Sequence, residues 1–181
     1  NWARFVSEMY KIENNKISGP FHGEILKKLT CPYKHSKHSY QRFMDLSLSL
    51  PKKQSYYSPY SSSSSKPLLL EDLIQNYLGK ETIEDLQCEQ CKGKRTFTKE
   101  SVIYSAPKFL IVHLSRFAKG WYDNEKDSRE VEFPEVIDLT EKNGQRNVKF
   151  RLLGAIHHVG IMNRGHYYAW VRNGNDWFEI N

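Results

Sequence analysis

No stretch of this 181-residue sequence is apolar for long enough to cross a bilayer as a helix, which takes about 20 residues. The first residues, Asn1-Trp2-Ala3-Arg4-Phe5, lack the basic, then apolar, then small-residue order of a secretory signal. We therefore expect a soluble chain. Cysteine is scarce: three residues, two of them as Cys88-x-x-Cys91, suit a metal site in a reducing compartment, cytosol or nucleus, better than a disulfide framework. A basic tract is missing too. The net charge is +6 and the pI about 9.1, yet Lys27, Lys28, Lys52, Lys53, Lys92, Lys94 and Arg95 are interspersed with acids, which reads as a solvated surface and not as a nucleic-acid footprint. What is abundant is core material. At 39% hydrophobic and 13% aromatic, the chain fits one domain of ordinary size or a large piece of a bigger one.

The clearest local pattern is at the end of the sequence. Two runs rich in aromatic and β-branched residues flank Asn173-Gly174, the preferred dipeptide of a two-residue type I′ turn, and predict a β-hairpin. Pairing Arg172 with Asn175 brings Trp170 opposite Trp177, Tyr168 opposite Glu179 and His166 opposite Asn181. Tyr167, Ala169, Val171, Phe178 and Ile180 then form one apolar face, expected to be core, while His166, Tyr168, Glu179 and Asn181 share the other. An amide beside an imidazole can accept the Nδ1 proton and hold one tautomer, leaving Nε2 as a base towards a thiol. That is Cys-His-Asn logic with the cysteine missing.

Elsewhere, Trp2, Phe5, Val6, Met9 and Tyr10 are spaced as a short amphipathic helix, which Asn14-Asn15 and Ser18-Gly19-Pro20 end. A strand starts in Phe21–Leu26, and Cys31–His38 reads as a loop. Leu46, Leu48 and Leu50 alternate with Ser47 and Ser49 as a half-buried strand that Pro51 stops. Lys52–Pro67, with five serines from Ser61 to Ser65, reads as a mobile insertion. Leu70, Leu73, Ile74 and Tyr77 predict a helix stopped by Gly79. From Arg95 onward the signals are β, in Thr96–Thr98, Val102–Tyr104, Phe109–Phe117, Val131–Phe133 and Val148–Val159, as a mostly antiparallel sheet. His113, inside an apolar strand, reads as a hydrogen-bonded core residue. His22, His35 and His38 fall in loops, and His157 and His158 on opposite faces of one strand.

Gly165-His166-Tyr167 followed by Trp177-Phe178-Glu179-Ile180-Asn181 resembles the C-terminal box of the ubiquitin-specific proteases, the papain-like cysteine deubiquitinases. Several further motifs resemble that family in consistent order: Phe21-x-Gly23, Phe43-x-x-Leu46-Ser47-Leu48-x-Leu50-Pro51, Ala106-Pro107 to Arg116-Phe117, Glu132-Phe133-Pro134, Ile137-Asp138-Leu139 and Ala155 to Gly160. The likeness runs from about Phe21 to Asn181. It implies an α+β fold: a mostly antiparallel β-sheet palm, a β-ribbon fingers extension and a few short helices, without the thumb part. The implied division is an N-terminal helix and linker (1–20), fingers (21–104, with the serine-rich insertion at 52–67) and palm (105–181). It implies His166 and Asn181 as catalytic residues, with Gly165, Tyr167 and Tyr168 next to substrate. Lys119–Arg129 would match a loop bordering the ubiquitin-tail channel, and His158 a structural position.

The family's nucleophile lies in an N-terminal Asn-Thr-Cys-Tyr box, and nothing here matches it. Cys31 reads as a metal ligand or buried thiol. The family often holds one zinc with two Cys-x-x-Cys pairs; here Lys34 stands in place of the fourth cysteine. Zinc held by Cys31, Cys88, Cys91 and His35 is one expectation, with His38 as the other candidate histidine; a metal-free finger held by strand pairing is the alternative. The implied activity is thiol-dependent removal of ubiquitin from conjugated proteins, with ubiquitin and ubiquitinated proteins as partners and no membrane or nucleic acid. This chain would supply fingers, base and orienter, and be inactive alone. Two other readings stay open: an inactive ubiquitin-binding or scaffold relative, and a zinc-ribbon binding module with a basic surface.

Overall fold

The computed structural model describes residues 16, 18–52, 67–117, 126–161 and 164–181. The helix expected over Trp2–Tyr10, residues 53–66 of the serine-rich stretch and residues 118–125 lie outside them. A 3-10 turn at Gly19–Phe21 leads into β1 (Gly23–Thr30), β2 (Ser36–Phe43) and β3 (Asp45–Ser49). Then come β4 (Leu68–Leu69), α1 (Leu70–Leu78), β5 (Lys80–Cys88), β6 (Gly93–Ser105) and β7 (Ile111–Ser115). The remaining strands are β8 (Val131–Glu132), β9 (Val136–Glu141), β10 (Arg146–Arg151), β11 (Gly154–Ile161), β12 (Arg164–Asn173) and β13 (Asp176–Ile180). Antiparallel pairing dominates, as expected. The short pair of β4 with β8 is parallel.

The chain divides into two compact units. The first takes in the described residues of Asn1–Leu46, Gln75–His113 and Asp138–Phe150; the second, those of Ser47–Ile74, Leu114–Ile137 and Arg151–Asn181.

In the first unit four antiparallel strands follow the order β2-β1-β6-β5. The central strands carry the apolar residues: Ile25 of β1 stands in register with Ile103 of β6, and both are fully buried. Two strands of this sheet were not foreseen. β2 falls partly in the expected loop, and β5 covers Lys80–Cys88, where no strand was expected. Both are edge strands exposed along most of their length, and neither shows apolar alternation. Charge complementarity stands in for it: Glu81 of β5 pairs with Lys99 of β6, and Lys80 Nζ lies 3.8 Å from Glu100. The runs Thr96–Thr98 and Val102–Tyr104 turn out to be one 13-residue strand. After β9, the N–H groups of Lys142 and Asn143 donate to the carbonyls of Ile103 and Tyr104, each at 2.9 Å. Buried Glu141 fixes the same place, accepting from the Ala106 N–H at 2.9 Å and from Arg146 Nε at 2.5 Å.

Along α1, Leu73 and Ile74 are buried, whereas Tyr77 is exposed, so the helix buries a narrower stripe than its spacing suggests. The alternation along β3 holds: Leu46 and Leu48 are fully buried between exposed serines. The expected run Val148–Val159 is two strands, broken at Leu152-Leu153, where Leu152 N–H donates to Glu135 O and Leu153 O accepts from Arg172 N–H, both at 2.8 Å. His113 of β7 is exposed, a correction to its expected core position; a five-residue strand with outward alternate positions leaves it on the open side. β11, β12 and β13 form the antiparallel sheet that carries the hairpin.

Candidate active site and metal centre

The hairpin forms, with its register two residues from the expected one. Asn173 pairs with Asp176, Arg172 with Trp177, Trp170 with Glu179 and Ala169 with Ile180. The two-residue loop is therefore Gly174-Asn175. Gly174 sits first in it with φ +63°, and Asn175 is not among the described residues with positive φ, an arrangement of type II′ and not type I′. A slip by two residues leaves every side chain on its original face. His166 and Asn181 thus still share a face but meet diagonally, a separation their side chains can span.

His166 Nε2 contacts Asn181 Oδ1. This corrects the expected geometry: Oδ1 can only accept, so the proton sits on Nε2 and the free lone pair belongs to Nδ1. Both residues are exposed, and a reacting group can reach the imidazole. Tyr168, next on the same face, stacks on His157 with ring centroids 5.1 Å apart. His158 stands on the opposite face, in register with Tyr167.

The face expected to be core is open. Tyr167, Phe178 and Ile180 are 65%, 50% and 57% exposed, and Ile156 beside them is 80% exposed. Ala169 and Val171 are half-buried. Alternation decides which residues share a face, but not whether another layer covers it.

A further network escaped the sequence reading. Phe117 and Lys126 pair in an isolated β-bridge, and Arg116 Nη1 donates to the carbonyls of Asp127 and Arg129 at 3.0 and 2.7 Å. Arg129 grips the Asp127 carboxylate, which raises the guanidinium pKa further. Lys126 Nζ donates to the carbonyl of His158. Arg116-Phe117 at the end of an apolar run was the available signal.

At the far end of the four-stranded sheet, two tight turns bring Cys31, His35, Cys88 and Cys91 together, their ligand atoms all within 4.8 Å of one another. The extra residue relative to a Cys-x-x-Cys turn is absorbed at Lys34, which adopts φ +66° and donates its N–H to Cys31 O while Cys31 N–H donates to His35 O, both at 2.9 Å. His35 is therefore the cluster's histidine. His38 lies in β2 in register with Lys28 and takes no part.

The spacing suits a tetrahedral ion. Bonds of about 2.3 Å to sulphur and 2.0 Å to nitrogen give edges of about 3.8 Å between sulphurs and 3.5 Å between sulphur and nitrogen. Cys31 and Cys91 Sγ are 3.8 Å apart, and His35 Nδ1 lies 3.5, 3.2 and 3.7 Å from the sulphurs of Cys31, Cys91 and Cys88. The Cys91 N–H on Cys88 Sγ pulls that thiol down to about 6, and burial pushes the Cys91 thiol up to about 11. Three sulphurs and one imidazole are a donor set for structural zinc. Cys31, Cys88 and Phe97 are also a small buried core, flanked by Leu29 and Leu86.

The sequence model of the ubiquitin carboxyl-terminal hydrolase family matches residues 2–181. The chain belongs to that family, as a ubiquitin-specific protease. A probable ubiquitin carboxyl-terminal hydrolase of Acanthamoeba polyphaga mimivirus is 25% identical over 98% of the chain and 39% of its own length. Ubiquitin carboxyl-terminal hydrolase 4 of Saccharomyces cerevisiae strain YJM789 is 30% identical over 96% of the chain and 20% of its own length. The chain thus spans two-fifths or less of these relatives. Among solved structures, the SAGA Ubp8/Sgf11/Sus1/Sgf73 DUB module bound to ubiquitin aldehyde superposes with a TM-score of 0.74, at 25% identity, over 99% of this chain and 42% of that one. The mostly antiparallel α+β fold of this ubiquitin-specific protease chain is the papain-like one that the resemblance implied.

Proposed function

We propose that this chain is the fingers-and-palm part of a deubiquitinase catalytic domain that hydrolyses the isopeptide bond between ubiquitin and a protein lysine. The contact of His166 Nε2 with Asn181 Oδ1 carries this reading. With its Nε2 proton held by the amide, His166 takes the proton of a cysteine thiol on Nδ1. The thiolate attacks the carbonyl of ubiquitin's C-terminal residue, and the imidazolium returns the proton to the leaving lysine amine as the C–N bond breaks. Water, deprotonated by Nδ1, then releases ubiquitin from the thioester and regenerates the thiol.

The thiol comes from residues outside these 181. All three cysteines share the metal cluster, which supports that assignment. So does the open apolar face of Tyr167, Phe178, Ile180 and Ile156, the kind of surface that further chain of one domain covers. Gly165, Tyr167 and Tyr168 border the substrate, and the partners are ubiquitin and ubiquitinated proteins of the cytoplasm or nucleus. Cys31, His35, Cys88 and Cys91 hold a zinc ion that ties the ends of four strands together.

The test is reaction of the full-length protein with ubiquitin carrying a thiol-reactive electrophile at its C-terminus. An adduct on a cysteine outside the cluster, lost when that cysteine becomes serine, is expected. Ubiquitin binding without any adduct would favour the inactive ubiquitin-binding relative instead.

A further inference from the structure

His158 is a residue that the proposed reaction leaves unused, yet it is held from several sides. Its ring lies in tilted contact with Tyr167, centroids 4.6 Å apart, and edge-on to Phe117 at 6.1 Å. Its backbone carbonyl accepts from Lys126 Nζ. Nδ1 is buried and has no hydrogen-bond partner among the described residues, so shape and not polar bonding keeps the ring in place. Shape is tightest against Gly165. A Cβ there would collide with His158 Nε2 and come within 2.6 Å of the Val159 carbonyl. The ring fills the space a side chain at Gly165 would need, and Gly165 is the residue before His166.

We propose that His158 is a positioning residue for His166: a steric stop on the opposite face of the sheet that fixes Gly165, and through it the angle at which His166 presents Nδ1. Phe117 meets the ring edge-on, and Lys126, its partner across the bridge, holds the His158 backbone carbonyl. The planar ring with its flat edge against the glycine is what a branched aliphatic side chain lacks. The proposal rests on the general-base reading of His166, and the experiment separates the two.

Full-length protein is assayed on a fluorogenic ubiquitin conjugate, with active sites counted by electrophilic ubiquitin so that kcat refers to folded enzyme. His158→Ala is expected to lower kcat per active site roughly 10- to 100-fold, with KM little changed, because small displacements of a reacting group cost about that much. His158→Phe, which keeps a flat ring, recovers most of the loss. The 15N signals of His166 shift from one tautomer towards a mixture in the alanine variant and not in the phenylalanine one. If His158→Ala does not fold, His158→Val, which also removes the ring, makes the same comparison. Unchanged kcat per active site with fewer active sites means a structural role only and overturns the proposal while leaving the reading of His166 intact. Equal losses in the alanine and phenylalanine variants overturn it as well. Full turnover in His166→Ala overturns both.

Discussion

His166 presents Nε2, and not Nδ1, to Asn181 Oδ1, and the two meet diagonally across the hairpin. The amide then selects the Nε2–H tautomer and leaves Nδ1 as the base. In the full-length protein His166→Ala is expected to reduce turnover of a ubiquitin conjugate by roughly 1,000-fold or more, and Asn181→Ala by less, since the amide orients the ring but transfers no proton. The 15N spectrum of neutral His166 should show Nε2–H, and the second variant should blur it. An Nδ1–H tautomer, or equal and negligible kinetic losses, would count against the assignment.

The isolated 181-residue chain is expected to leave ubiquitin conjugates uncleaved. A base and its orienter have no nucleophile to activate here, because Cys31, Cys88 and Cys91 lie together in the cluster and Cys31 is buried. Measurable turnover by this chain that disappears in Cys31→Ser would overturn that expectation.

The His-Asn pair was legible in the sequence despite a wrong turn type, because side-chain faces repeat every two residues and the error was two. The nitrogen facing Asn181 was not legible, since it depends on ring orientation and on diagonal contact. β2 was missed because a strand exposed along most of its length carries no periodic apolar signal, and β5 because a bulge at Asp85 spaces Ile83 and Leu86 three apart, whereas β3, half-buried, announced itself through Leu46 and Leu48. The choice of His35 over His38 required the β1–β2 register: with Thr30 paired to Ser36, only five residues close the turn, and His38 is already two residues along the strand. His113 was misread because an apolar run was taken as buried on both faces.

Glu141 gives a pH signature of the first unit. The Arg146 guanidinium and the Ala106 N–H hold its buried carboxyl below the ordinary value of 4.5. A depressed folded-state pKa contributes stability that is complete above the unfolded value and is lost as pH falls through the folded one. Glu141→Gln should therefore cost about 1–3 kcal/mol at pH 7, because one charged acceptor is lost and Ala106 N–H and Arg146 Nε are left with a neutral partner. The difference in denaturant midpoint between wild type and variant should shrink as the solution is acidified below about pH 4.5. A difference independent of pH would show that the charge of Glu141 adds nothing to folding.

The cluster of Cys31, His35, Cys88 and Cys91 at the end of the four-stranded sheet is expected to hold zinc. Tetrahedral closure needs four donors, and the edges among Cys31, His35 and Cys91 already match those of a zinc site. The ion would fasten two turns that otherwise depend on one small group of buried side chains around Phe97. Protein purified without chelator should hold one zinc per chain. Cys88→Ser and His35→Ala should each lose it, and His38→Ala should keep it. Chelation should lower the melting temperature by several degrees, since a ligand bound only by the folded state stabilises it. Metal-free protein whose melting temperature is unmoved by chelator would leave a finger held by strand pairing and by the packing of its thiols.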